Sequence, residues 1–294
     1  NIIGINSNFF QLGGHSLKAI VLIDKIQLAF NVKVQLADLF QRQVIKSLAG
    51  CIKTRMLNGE SWEPETIEAA ETREYYPLTS EQERMFERHR FYGFGNTIFN
   101  MPWIGELEDT SCETLEKAFA QLIERHEGLR TSFLLVNGEP VQVIHKQVDF
   151  KIGYYNLSPD CTDYTENNDD KIPHPSFIGT PNNFIHPFDL SRAPLLRVGV
   201  TKKEGGRLLL LMDMHHIVSD GTSFGFLLSD LKTLVKGEAL TPLRINYKDY
   251  IYWQNSEKRK QVLEKQEEYW LKLLEKPAPE LALPLDFPRP LIRR

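Results

Sequence analysis

The stretch Leu57 to Glu74, LNGESWEPETIEAAETRE, limits what this chain can fold into more than any other. It carries six glutamates, one proline and few apolar residues. Such a segment buries little and solvates readily, so it reads as a linker over residues 57–74. It separates two blocks of different character. Residues 1–56 show only helical apolar spacing, whereas residues 75–294 alternate helices with strands. For 294 residues, at roughly 150 per domain, two domains are the expectation, and the chain is long enough to bury a sizeable core without staples.

Composition narrows the classes of function. Hydrophobic residues make up 41% and charged residues 25%, as in ordinary globular proteins and unlike disordered ones. No apolar run approaches the roughly 20 residues that span a bilayer, so no membrane partner is expected. Asn1 to Asn6 lacks the charged-then-apolar layout of a signal peptide. The cysteines Cys51, Cys112 and Cys161 are odd in number and form no CxxC pair. That pattern disfavours a disulfide framework or a zinc knuckle and fits a reducing cytoplasm. The net charge of −4, from 35 basic and 39 acidic residues, disfavours nucleic acid as the main partner. No internal repeat or low-complexity tract is present.

In the first block, Leu17, Ile20, Val21, Ile23 and Ile26 recur near a 3.6-residue period. This predicts a helix from Ser16 to Phe30, ended by Asn31, that buries that face. Leu36 to Phe40 reads as a single turn, and Val44 to Lys53 as a second short amphipathic helix. No helix precedes these pieces, and a bundle made of them alone buries little surface for its size.

In the second block, Ser80 and Glu83 match a capping box opening a helix to about Arg90. Ser111 caps another helix, with Leu115, Ala118, Phe119, Leu122 and Ile123 on one face. Thr131 to Val136 and Pro140 to His145 flank Asn137-Gly138, a hairpin signal. Leu195 to Thr201 and Arg207 to Met214 flank Gly205-Gly206 in the same way. Leu208 to Met214 is almost continuously apolar, which predicts burial on both faces, and it runs directly into His215-His216. After Gly221 a helical pattern resumes, and Tyr247 to Glu275 reads as one long charged helix. The fold class is mixed α/β.

Two constellations carry chemistry. In Gly13-Gly14-His15-Ser16-Leu17 the glycines relax the backbone just before a helix. Ser16 is then either a simple N-cap or a serine that bears a phosphate-linked group. Free N–H groups and the positive helix end favour a phosphodiester there. A hydrolase elbow, G-x-S-x-G, fails because the position two beyond Ser16 is Lys18. The second constellation is Met214-His215-His216-Ile217-Val218-Ser219-Asp220-Gly221. Adjacent histidines at a strand end point different ways, and no third ligand stands at a zincin spacing, so no metal is expected. What remains is a hydrogen-bonded core histidine, or a base that a loop closed by Asp-Gly presents at an open cavity.

The residues Asn8-Phe9-Phe10-Gln11-Leu12-Gly13-Gly14-His15-Ser16-Leu17 resemble the core motif of the peptidyl carrier domains of nonribosomal peptide synthetases. The resemblance implies an all-α four-helix-bundle fold for residues 1–56, with its first helix missing. It also implies 4′-phosphopantetheine on Ser16, whose thiol holds the growing peptide as a thioester. The HHxxxDG pattern of His215 to Gly221 resembles the signature of condensation domains and of the chloramphenicol acetyltransferase-like fold. Tyr76 to Met85, Arg125 to Thr131 and Tyr247 to Gln254 resemble the first, second and fourth motifs of that family. Pro187 to Leu190 and Leu285 to Pro290 resemble further family segments. The implied organisation is multidomain, with residues 75–294 as the N-terminal lobe of a condensation domain. Family members carry a second lobe, with the channel between the two, so an isolated fragment is expected to need that lobe.

The activity so implied is amide bond formation between two carrier-bound substrates, of the subtype accepting an L-configured donor. An α-amine has a reference pKa of about 7.7–8.0, so no strong base is required, and an imidazole suffices as base or positioner. The resemblance assigns that role to His216. It makes His215 and Asp220 mainly structural, with Asp220 shaping the loop through an ion pair with an arginine that the family takes from the later lobe. Gly221 would let substrate pass close to the backbone. Arg125 and Arg130 are read as braces, and Tyr247, Tyr250, Tyr252 and Trp253 as packing residues. Implied partners are a phosphopantetheinyl transferase, an upstream adenylation domain and a downstream aminoacyl-carrier domain. The alternatives are an epimerisation domain, whose third motif continues with Ser-Trp where this chain has Thr222-Ser223-Phe224, and a non-catalytic interdomain binding fragment. A cyclisation domain would replace both histidines with aspartates.

Overall fold

Asn31 takes the left-handed conformation (φ 49°, ψ 43°) and ends α1 (Ser16–Phe30), a place where a short polar side chain is tolerated. The computed structural model describes residues 3–63, 66–93, 95–107, 110–155, 184–202 and 208–276, with 284 and 287. Two compact units result, Asn1–Thr66 and Ile67–Arg294.

In the first unit α1 is followed by α2 (Leu36–Gln41) and α3 (Ile45–Leu57). Ala19 and Ile23, with Leu22 and Ile26 beside them, pack on Val32, Val34, Leu39, Leu48 and Ile52. The expected face is therefore corrected: Leu17, Ile20 and Val21 are exposed. α1 is apolar nearly all round, so its period selects a helix without selecting which stripe is buried. Buried Asp38 ties the helices together, 2.9 Å from Arg55 and 3.3 Å from Arg42. Arg55 lies beyond Lys53, in the extra turn by which α3 exceeds the expected helix.

The glutamate-rich stretch is anchored at both ends rather than free throughout. Leu57 closes α3, and the Trp62 N–H donates to the Asn31 carbonyl at 3.3 Å. In the second unit the Ala70 N–H donates to Asp249 Oδ1 at 2.8 Å, and the Tyr76 hydroxyl accepts from Arg73 N–H at 2.9 Å.

The second unit begins with β1 (Tyr76–Pro77) and α4 (Ser80–Tyr92). The capping box falls one residue earlier than expected. Thr79 Oγ1 accepts from Gln82 N–H at 3.3 Å and Gln82 Oε1 accepts from Thr79 N–H at 3.1 Å. Thr79 and Gln82 are buried with Phe86 and His89, whereas Ser80 and Glu83 face solvent. The buried stripe decided between two pairs that both satisfy the pattern.

β2 (Asn100–Leu107) and α5 (Cys112–Arg125) follow. Ser111 Oγ caps α5 by accepting from Thr114 N–H, and Leu115, Ala118, Phe119, Leu122 and Ile123 are buried, as their spacing predicts. A 3₁₀ turn (Glu127–Arg130) leads into β3 (Thr131–Val136) and β4 (Glu139–Ile144). Asn137 and Gly138 between them have φ of 54° and 88°, the two positive values that a type I′ hairpin turn needs. β1 pairs with β4 to complete a three-stranded sheet.

β5 (Gly153–Tyr155), β6 (Leu196–Lys202) and β7 (Leu208–His215) join β2 in a four-stranded sheet of order β2-β7-β6-β5. The predicted Gly205-Gly206 turn lies outside the described residues. β7 is central, and its Leu210, Met212 and Met214 meet β6 and the apolar faces of α5 and α6 (Gly221–Val235). A second cluster of Leu78, Phe86, Phe133, Phe188, Leu190, Leu195 and Ile217 packs α4 and the three-stranded sheet beneath the end of β7. The predicted single helix from Tyr247 is two: α7 (Tyr247–Gln254) and α8 (Glu257–Leu273). Asn255 and Ser256 close one and cap the other, a stop signal that a charged, helix-favouring sequence hides.

Candidate functional site

β7 sends successive side chains to opposite faces. Met214 enters the α5–α6 core, and His215 turns the other way, its ring centred 5.4 Å from His89, 5.7 Å from Phe99 and 6.0 Å from Phe188. His215 Nδ1 accepts from Ile217 N–H at 3.1 Å, so the neutral ring carries its proton on Nε2. Burial, helped by the neighbouring His89 and His216, pushes its pKa down to about 3. An uncharged, buried ring of this kind shapes the loop.

His216 lies one residue on and is only half-buried. Its backbone N–H donates to the Phe99 carbonyl at 2.8 Å, and its Nδ1 stands 2.8 Å from the Ser219 carbonyl. A carbonyl only accepts, so Nδ1 bears the hydrogen and Nε2 keeps a lone pair. The ring lines a cavity of about 720 Å³. Gln82, Met85, Glu127, Tyr247, Tyr250 and Phe226 also line it, so the first, second and fourth sequence motifs converge on the third. A Cβ added to Gly128 would stand 3.6 Å from the Val218 carbonyl, and Lys248 Nζ donates to Glu127 Oε1 at 2.7 Å. The second motif therefore lies beside the histidine loop, and the Lys248–Glu127 bond ties it to α7.

Asp220 is the N-cap of α6. Its Oδ1 accepts from both the N–H and the Oγ of Ser223, each at 2.7 Å. The Ser223 backbone donor, chiefly, holds its carboxyl below the usual range. Among the described residues no arginine or lysine pairs with Asp220, and its carboxylate serves as a helix cap; the arginine that the resemblance implies belongs to the later lobe, outside residues 75–294. Gly221 is exposed, and a Cβ there would meet nothing within 4 Å; among the described residues nothing requires a glycine. Arg125 donates to Asp230 and to the Thr241 carbonyl, and Arg130 to the carbonyls of Ile123 and His145. Both brace backbone and neither lines the cavity. Tyr247 and Tyr250 line it rather than simply pack, while Trp253 packs under Arg259.

In the first unit Ser16 is the first residue of α1, and His15, not Ser16, is its N-cap. Ser16 is exposed, and no hydrogen bond among the described residues engages its hydroxyl. The loop before it is tightly built. Asn8 Oδ1 accepts from the N–H groups of Phe10 and Gln11, and Gly13 sits at φ 87°. A Cβ on Gly14 would fall 2.4 Å from the Phe9 ring and 2.6 Å from the Phe9 carbonyl, so only glycine fits. The first turn of α1 carries no acid, and Lys18 Nζ lies 3.2 Å from the Gly13 carbonyl. A free hydroxyl at a positive helix end without competing carboxylates suits a phosphodiester, so the residues present fit a phosphopantetheine group on Ser16.

Residues 72–294 match the family model described as condensation domain. The chain belongs to the condensation-domain family. Its residues 1–52 match the family described as phosphopantetheine attachment site. The chain is 41% identical over 98% of its length to bacitracin synthase 2 of Bacillus licheniformis, covering 10% of that protein. To gramicidin S synthase 2 of Aneurinibacillus migulanus it is 42% identical, again over 98% of its length and 6% of that protein. It therefore spans a tenth or less of these relatives. Its fold is similar to that of the X-domain from teicoplanin biosynthesis, with a TM-score of 0.58 and 22% identity over 78% of this chain and 49% of that one. Carrier followed by condensation domain is the order of nonribosomal peptide synthetases, and this is a carrier–condensation segment of that type.

Sequence reasoning missed several residues of the condensation unit. Asp213 is fully buried and lies directly across from Arg197. Its Oδ2 accepts from Arg197 Nη1 and Asn100 Nδ2, each at 2.7 Å. Burial pushes its carboxyl up to about 6 against those two donors. Arg197 also donates to the Pro187 carbonyl and stacks 3.7 Å over Phe188, which touches His215. The available signal was an aspartate interrupting an apolar strand two residues before the histidines. Buried Gln82 and Gln142 gave no such signal. Their role arises from contacts between segments 60 residues apart. Among the described residues, no helix is long and apolar enough to cross a membrane.

Proposed function

We propose that Ser16 carries 4′-phosphopantetheine and that the condensation unit forms an amide bond with His216 as its proton-handling residue. Bound at Ser16, the group supplies a thiol that holds an acyl chain as an activated thioester, the form consumed when the amine of an acceptor aminoacyl group makes the new C–N bond. In this reading the enzyme supplies alignment and management of one proton. His216 Nε2 takes the proton that the amine nitrogen loses and returns it to the leaving sulfur. The Ser219 carbonyl keeps Nδ1 protonated, so the lone pair stays on the cavity side. His215, uncharged, and Asp220, as a cap, hold the loop. The observation that carries this reading is an imidazole with one nitrogen tied to its own loop and the ring opening on a cavity where all four motifs meet.

The domain limits that go with it are a carrier over 1–56, a linker over 57–74 and a condensation lobe over 75–294. The partners are a phosphopantetheinyl transferase, an upstream adenylation domain and a downstream aminoacyl-carrier domain, all in the cytoplasm, with an L-configured donor. Incubation with coenzyme A and a phosphopantetheinyl transferase should add one prosthetic mass, which Ser16→Ala abolishes. In the full-length gene product His216→Ala should slow peptide formation by about 10²-fold or more, the range of general acid–base catalysis. Normal turnover in that variant removes His216 from the chemistry. If the full-length wild type forms no peptide from loaded carriers, the amide-forming reading fails and these units serve interdomain binding instead.

A further inference from the structure

We infer that Gln82 is a positioning residue that sets the His216 loop for proton transfer, an inference that rests on the role proposed above for His216. Gln82 lies on α4 and is 4% exposed. It sits beside the apolar cluster of Leu78, Phe86, Phe133 and Ile217. Its amide orientation is fixed by its partners. Oε1 accepts from Thr79 N–H and from Gln142 Nε2, each at 3.1 Å. Gln142 is itself buried and also donates to the Pro77 carbonyl at 2.8 Å. With Oε1 filled by donors, Nε2 must face the other way, and it donates to the Ile217 carbonyl at 3.3 Å.

That carbonyl belongs to the residue after His216. On the other side the His216 N–H is held by Phe99, and the ring by Ser219 within the loop. Gln82 thus supplies a hold on this turn from α4, joined through Gln142 to the three-stranded sheet. Without it the buried carbonyl would be unpaired, and the peptide plane carrying it would rotate toward another donor. Rotation there changes the direction of the His216 ring without removing any group that reacts.

The test uses the full-length gene product, converted to its phosphopantetheine form, with a loaded acceptor carrier. Gln82→Met keeps the volume and removes the donor. It should lower kcat about 10–100-fold, as expected of a misplaced reacting group, with KM for the acceptor carrier within about twofold. Gln82→Glu can donate to Ile217 only when protonated, so its rate relative to wild type should rise as pH falls. Phe86→Leu loosens the same helix without touching this hydrogen bond and should lower Tm while kcat stays within about twofold. The imidazole ¹⁵N shifts of His216 give a readout independent of turnover. They should report the Nδ1–H form in wild type and a tautomer mixture in Gln82→Met. An active wild type matched in kcat by Gln82→Met overturns this inference alone, as does a raised KM with unchanged kcat, or a loss that merely follows Tm in all three variants. A wild type that forms no peptide overturns the reading of the site, and this inference with it.

Discussion

Replacing Asp220 separates two ways in which an aspartate can hold a histidine loop. As an ion-pair partner it needs its charge, and as a helix cap it needs only an acceptor oxygen. The structure gives the second arrangement, with both bonds going to Ser223 at 2.7 Å. Asn and Ser are about as good as Asp at an N-cap, whereas Ala costs about 1 kcal/mol. Losing the negative charge at the helix start costs a further 0.3–1 kcal/mol or so. Asp220→Ala should therefore destabilise the second unit by about 1–2 kcal/mol, and Asp220→Asn by less than about 1. For a unit of this size 1 kcal/mol moves Tm by about 2–4 °C. Thermal unfolding and peptide formation are measured on the same three proteins. Peptide formation should fall clearly in the Ala variant and stay within a few-fold of wild type in the Asn variant. Equal loss of activity in both, with Tm unchanged, would refute capping and restore a charge-dependent role.

Two further outcomes follow from the buried ionisable groups. Arg197→Ala strands the Asp213 carboxyl without its guanidinium and should cost about 3–5 kcal/mol in denaturant unfolding; a loss below about 1 kcal/mol would mean that the pair contributes little. His215 has a folded pKa of about 3, below its unfolded value of about 6.5. The unfolded chain therefore takes up the proton first as pH falls, and the stability His215 contributes is complete above about pH 6.5 and is lost toward pH 3. His215→Asn keeps an acceptor for the Ile217 N–H but cannot titrate. Its stability relative to wild type should improve by about 1.4 kcal/mol per pH unit between about pH 6 and 4. Parallel pH curves for the two proteins would show that His215 is not buried uncharged.

What was legible in the sequence is what short-range periodicity encodes. The five apolar residues of α5 and the Asn137-Gly138 turn needed only their own segments. α1 shows the limit: with apolar residues on most sides, its buried stripe was decided by Val32, Val34, Leu39, Leu48 and Ile52, which a helical period does not include. The Thr79–Gln82 cap beat Ser80–Glu83 because tertiary burial turned the first turn inward. The histidine pair and the serine could be found from motif spacing, because loops present chemistry in short runs. The cap that Asp220 gives Ser223, three residues on, was not read from the sequence, because the histidine motif hid an ordinary helix start. The Gln82–Gln142 and Asp213–Arg197 contacts join distant segments: Asp213 shows locally only as a charge inside an apolar strand, and the partners Gln142 and Arg197 look like surface polar residues.

The carboxylate–guanidinium pair across β6 and β7 has a consequence for how far the histidine loop can stray. Should β7 slide one residue along its neighbours, Asp213 would be driven among Leu196, Val198 and the methionines, an unpartnered charge in hydrocarbon. A slide of two residues would keep the faces but pull Asp213 away from Arg197. Only one alignment satisfies both conditions, so the sheet works as a vernier: an apolar strand that alone would tolerate slippage has a single permitted setting, and that setting fixes where the imidazole one residue beyond its end begins its turn.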